Sequence, residues 1–254
     1  MRITLFGLLF AGATLTCFSA GKIITLDTRP GVSVSFYYLK QDRAPATLVL
    51  LSGGVGDIGL EDGIPTSKNF LVRSRDFFAA HGFNVVIVNR PSDRALEYEA
   101  RVSSAHIQDL RQVVDYVKKE TRLPVWLIGT SRGTVSATAA AIAFGNDLLA
   151  GIVLTASVTS SSKTGAVPGQ KLAAIRIPVL VIHHERDACA STQPSEVSWI
   201  IRGLKNAPVK KLIMVAGGAD PSGDPCKALH WHGFIGMEQE VVDRIIRWIK
   251  NPIH

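Results

Sequence analysis

The stretch from Pro124 to Ala143 constrains this chain most tightly. Val125 to Ile128 is a short apolar run of the kind that makes a buried strand, and the small residues after Gly133 fit a helix packed closely on a sheet. Between them stands Gly129-Thr130-Ser131-Arg132-Gly133, a match to G-x-S-x-G. In a strand-turn-helix setting this pentapeptide is a nucleophile elbow, which holds its central serine out on a sharp turn. The residue types follow from the geometry. The serine takes a positive φ, and a side chain at 129 or 133 would collide with neighbouring backbone. The helix that follows aims its first amides, that of Arg132 among them, at the place where an oxyanion would form.

The 254 residues show no composition shift, repeat or low-complexity tract, which predicts one domain with a large core. The amino terminus reads differently. Met1-Arg2 is a positive start, Ile3 to Leu15 is nearly all apolar, and Ser19 and Ala20 are small. That is the layout of a secretory signal peptide over residues 1–20, cut after Ser19 or Ala20, with 21–254 as the mature domain. The apolar run falls short of the about 20 residues a transmembrane anchor needs, so no stable membrane insertion is expected after its removal. The expected location is the periplasm or the medium. Cys17 leaves with the leader, and Cys189 and Cys226 remain as an even pair in an oxidising compartment, which predicts a disulfide.

A net charge of +7 raises the question of nucleic acid. Lys and Arg are spread along the chain with no basic run or aromatic-interleaved patch, so solvated surface charge is expected and nucleic-acid binding is not. Ser52-Gly53-Gly54-Val55-Gly56-Asp57 is glycine-rich but lacks both a Gly-Lys-Ser/Thr ending and a dinucleotide fingerprint, and no cofactor is expected. Next to an elbow serine such a loop has another use, because backbone N–H groups near Gly54 and Val55 can supply the second half of an oxyanion hole.

Lys22 to Asp27 and Val32 to Lys40 read as a half-exposed edge hairpin around Arg29-Pro30-Gly31. Thr47 to Leu51, Phe83 to Val88, Gly151 to Leu154, Pro178 to Ile182 and Val209 to Val215 read as further strands. Helices are expected at Phe70 to Ala80, capped by Asn69, at Arg101 to Thr121, at Glu196 to Leu204 and at Glu238 to Lys250. Strand and helix alternate, and parallel strands require crossovers. The fold class is therefore α/β, a mostly parallel, doubly wound sheet flanked by helices. The two dozen residues between Leu154 and Pro178 leave no room for a large cap domain, which predicts a shallow, open cleft.

Ligands of such sheets bind outside the carboxyl ends of the strands. Ser131 lies there, as do His183-His-Glu-Arg-Asp187-Ala-Cys189 and the long segment from Gly217 through Cys226, His230 and His232 to Phe234. An acid and a histidine thus reach the edge that carries the serine, in the order Ser, Asp, His. Glu185 and Asp224 are rival acids, and His230, two residues from His232, is a rival base. His183 and His184 invite a metal reading, but adjacent residues of a strand face opposite ways, so structural histidines are expected and no metal. His106 reads as a packing or surface residue. Arg132 either steers an anionic substrate or pairs with a nearby carboxylate.

Through Gly129-Thr-Ser-Arg-Gly133, His183-His-x-x-Asp187-x-Cys189 and Cys226 followed by His232-Gly-Phe, the chain resembles α/β-hydrolase fold serine hydrolases, and among them small secreted bacterial enzymes. The resemblance spans nearly all of the mature sequence. It implies a triad of Ser131, Asp187 and His232, with His232 opening the last helix. In those roles His232 takes the Ser131 proton and Asp187 fixes the imidazole tautomer. The expected partner is an ester or other acyl substrate. The same triad also serves a peptidase or amidase, and the fold also hosts non-catalytic binding proteins.

Overall fold

Runs of β-branched and aliphatic residues that cannot stay wetted set the centre of the molecule. A computed structural model describes residues 21–253; the expected signal peptide lies outside the described residues. The strands are β1 (Lys22–Arg29), β2 (Val32–Leu39), β3 (Thr47–Leu51), β4 (Leu60–Glu61), β5 (Ile64–Pro65), β6 (Asn84–Pro91), β7 (Val125–Thr130), β8 (Gly151–Thr155), β9 (Val179–His184) and β10 (Lys210–Val215). The helices are α1 (Phe70–Arg73), α2 (Arg75–Ala80), α3 (Tyr98–Val102), α4 (Ser104–Thr121), α5 (Arg132–Leu148), α6 (Ser198–Gly203) and α7 (Glu238–Lys250).

Eight strands form one sheet in the order β1-β2-β6-β3-β7-β8-β9-β10, and β4 and β5 pair separately as a small hairpin. β2 runs antiparallel to both of its neighbours, β1 and β6, and every pairing from β6 to β10 is parallel. Alternation along each strand divides the core. In β3, Val49 and Leu51 face a layer that includes Leu110, Val114, Ala137 and Ile200 of α4, α5 and α6. Leu48 and Leu50 face Phe70, Phe78, Val241 and Ile245 of α1, α2 and α7. Side chains buried this completely each contribute about 1.5–3 kcal/mol, so both layers contribute to the stability of the sheet that carries the site.

Two expected helices are each divided. The segment 70–80 breaks at Ser74 into α1 and α2, with the Asn69 side chain capping Leu71 N–H as expected. The segment 101–121 begins earlier, at Tyr98, and breaks at Ser103, whose hydroxyl accepts the His106 N–H and starts α4 afresh. A polar residue that caps better than it continues wins locally in this second case. The expected helix 196–204 is shorter, because Pro194–Glu196 forms a separate tight turn ahead of α6. Between β8 and β9 the chain makes only two single-turn helices, Val167–Gly169 and Leu172–Ala174, so there is no large cap.

Candidate active site

β7 drives straight into the elbow. Ser131 takes φ 52° and ψ −127°, its N–H donates to Thr155 O on β8, and α5 begins at the next residue. The glycines are there for clearance. A Cβ on Gly129 would stand 2.5 Å from Gly133 O, and one on Gly133 2.0 Å from Leu51 O. Gly53 of the neighbouring loop is also forced, since its Cβ would meet Ser131 Cβ at 2.9 Å. The elbow and the loop after β3 are therefore interlocked.

The β9 carboxyl end carries the candidate acid, Asp187. Asp187 is buried, its N–H closes a turn onto His184 O, and its Oδ1 accepts the Cys189 N–H at 3.0 Å. Its Oδ2 accepts from Thr192 Oγ1 at 2.9 Å and lies 2.9 Å from His232 Nδ1. Burial alone would raise the Asp187 carboxyl, but bonds from His183 and His232 outweigh it and hold the group well below the usual carboxylate range. With the proton of His232 on Nδ1, as a carboxylate partner requires, Nε2 is left as an acceptor. His232 and Ser131 line one cavity of about 480 Å³, together with Gly54, Val55, Lys68, Tyr98 and Lys227.

The histidine is reached differently from the sequence expectation. His232 sits on a separate turn, Trp231–Gly233, and α7 starts only at Glu238, so the candidate base does not open the last helix. Gly233 is packed too tightly for a side chain, with Ala228 O 2.0 Å from where its Cβ would be. That same turn parts His232 from His230, which an extended chain would have left side by side. His230 is buried against the Trp231 ring, and its Nδ1 has no partner among the described residues. Glu185 is exposed, and Asp224, also exposed, spends its Oδ1 on the Cys226 N–H. Among the described residues neither side chain hydrogen-bonds a histidine.

Cys189 and Cys226 are joined as a disulfide and line the cavity. His183 donates from Nε2 to Thr192 O at 2.9 Å and stands 3.4 Å from Asp187 Oδ2, while His184 donates to Gly217 O and accepts the Arg186 N–H on Nδ1. The two rings serve different neighbours. Burial lowers the His184 pKa. Arg132 is paired with Glu97 and stacked on Tyr98, the carboxylate alternative of the two expected for it. Its N–H, like those of Gly54 and Val55, donates to no acceptor among the described residues. Thr192 was missed by sequence reasoning. Nothing in a Ser-Thr-Gln stretch signals that one hydroxyl will bridge the acid and lie 3.2 Å from His232 Nδ1.

The overall fold recurs in solved structures. The chain has the α/β-hydrolase fold. A serine hydrolase homologue from Coxiella burnetii matches over 92% of this chain and 100% of its own, with TM-score 0.62 and 13% identity. An esterase from Pyrococcus furiosus matches over 92% and 91% with TM-score 0.66 and 15% identity, and a dienelactone hydrolase from Anabaena variabilis over 92% and 99% with 0.62 and 13%. No family model matches the chain, and no curated protein matches it in sequence. In this α/β-hydrolase framework the site occupies the carboxyl ends of β3, β7, β9 and β10, where the fold presents its loops. No helix among the described residues is long and apolar enough to cross a membrane.

Proposed function

We propose that the protein is an exported serine hydrolase that cleaves carboxylic esters through an acyl-enzyme. The Asp187–His232 hydrogen bond, opening on the cavity that Ser131 shares with three unbonded amides, carries this reading. Ser131 Oγ attacks the ester carbonyl carbon as His232 Nε2 takes its proton, and the carbonyl electron pair moves onto oxygen. The amides of Gly54, Val55 and Arg132 receive that oxyanion. Collapse breaks the bond to the alcohol oxygen, which leaves with the proton from the imidazolium. Water, deprotonated by His232, then attacks acyl-Ser131 and releases the acid.

Asp187 keeps the imidazole in the required tautomer and favours its cation, and a carboxyl held ionised in a buried pocket suits that role. The names of the fold's solved neighbours, esterases among them, support ester substrates. The signal-peptide layout and the cystine support export. Hydrolysis of p-nitrophenyl acetate by wild type and Ser131→Ala tests the function. The expected loss in kcat is at least on the order of 10⁴-fold with the melting temperature kept. Activity retained within tenfold would overturn the assignment.

A further inference from the structure

The loop after β3 is asymmetric in its hydrogen bonds. Every carbonyl from Ser52 to Gly56 has a donor inside the protein: Ser52 O and Gly54 O take Arg101, Gly53 O takes Gly56 N–H, Val55 O takes Leu96 N–H, and Gly56 O takes Arg90 N–H. The N–H groups of Gly53, Gly54 and Val55 donate to nothing among the described residues. The loop's acceptors are thus consumed on one side while its donors are kept free on the other.

Arg101 is what makes this possible. It lies on α3, 1% exposed, and its guanidinium gives Nε to Leu96 O, Nη1 to Ser136 Oγ, and Nη2 to both Ser52 O at 3.2 Å and Gly54 O at 3.1 Å. All four acceptors are neutral, and among the described residues no carboxylate lies within ion-pair distance of it. Burial, then repulsion from Arg132, pushes its pKa down to about 9, so it remains a cation at neutral pH. An unpaired cation is costly to bury and is kept where a function recovers the cost.

We propose that Arg101 is the positioning residue of the oxyanion-binding loop, gripping the Ser52 and Gly54 carbonyls from behind so that the Val55 amide is kept for the cavity that Ser131 lines. A trans peptide is planar, with its C=O and N–H pointing opposite ways. Pinning Gly54 O toward Arg101 therefore turns Val55 N–H away from it, and pinning Ser52 O anchors the start of the loop. The guanidinium also polarises the Gly54–Val55 peptide in the sense that strengthens this donor. The oxyanion is the negative charge that this buried cation lacks in the resting protein, so its effect grows as the transition state forms. The role rests on the serine-hydrolase reading above.

The test compares wild type, Arg101→Met and Arg101→Lys in ester kinetics, in the rate of inactivation by a fluorophosphonate, and in near-ultraviolet circular dichroism. Arg101→Met is expected to lower kcat on the order of 10²-fold per folded molecule, the loss of about one oriented oxyanion donor, and to slow inactivation in parallel. KM moves less than about threefold, because ground-state binding is untouched. Arg101→Lys keeps the charge but cannot span two carbonyls in a fixed fork, and loses at least about tenfold in kcat. If Arg101→Met fails to fold, the lysine variant decides. Wild-type kcat per folded molecule in that variant, or a rise in KM with kcat unchanged in either, overturns the role of Arg101 alone. A wild-type protein that does not react at Ser131 overturns the role and the hydrolase reading together.

Discussion

Breaking the Cys189–Cys226 bond, by reduction or by Cys189→Ser with Cys226→Ser, is expected to weaken the protein and to disable the site before the sheet melts. The two cysteines are 37 residues apart, and in the chain-entropy model a loop of that length stabilises the fold by roughly 4 kcal/mol. For a domain of this size each kcal/mol moves the melting temperature by about 2–4 °C, so a drop of roughly 8–16 °C follows. The loss is placed where it matters chemically. Cys189 N–H holds Asp187 Oδ1, and Cys189 O accepts from Thr192, which itself bonds Asp187. On the other side the segment around Cys226 is exposed and carries Gly217, Gly218 and Gly223 at positive φ, with few bonds to the body of the protein. Without the bridge that segment opens locally, and one wall of the cavity goes with it. Parallel scans of ester hydrolysis and far-ultraviolet circular dichroism, with and without reductant, check this. The expected result is activity lost at a lower temperature than structure. A melting temperature unmoved within about 1 °C, or activity that survives until the sheet unfolds, would refute the account of the bridge.

Two further outcomes are expected. His232→Ala should lower kcat on the order of 10³-fold or more by removing the proton acceptor, while His230→Ala costs much less; steady-state kinetics of both variants check it, and reversed effects would name His230 as the base. His106, buried beside Ser136, has its pKa pushed down by burial to about 3, whereas the unfolded chain titrates near 6.5. Its neutral form is the one the fold accepts, so stability is full above about 6.5 and falls as pH drops toward 3, by up to roughly 5 kcal/mol. Urea titrations across that range should show His106→Gln with a flatter profile than wild type; equal slopes would contradict it.

Much of the fold was legible because the β3, β7, β8 and β9 strands are buried on both faces and read as unbroken apolar runs, and because glycines at 129 and 133 mark an elbow by steric need. The order of the loops then followed from topology. What stayed hidden depends on contacts across the chain. Ser103 and Ser74 look like ordinary helix residues until the break is seen, and the two-residue strands β4 and β5 are too short to show a period. Arg101 resembles any charged residue near a helix start, since only the three-dimensional approach of Ser52 and Gly54 reveals why a cation is buried there. His232 was misplaced on a helix because His-Gly-Phe resembles a helix start, whereas Phe234 is left-handed, at φ 57°, and ends the turn.

We propose Ser131, served by His232 and Asp187, as the nucleophile. Intact-mass measurement of the protein after treatment with a fluorophosphonate, followed by peptide mapping of the adduct, decides this. A single phosphonyl group on Ser131, absent in Ser131→Ala and formed far more slowly in His232→Ala, is the expected result. An adduct on another residue, or ester hydrolysis that continues undiminished in Ser131→Ala, would contradict it.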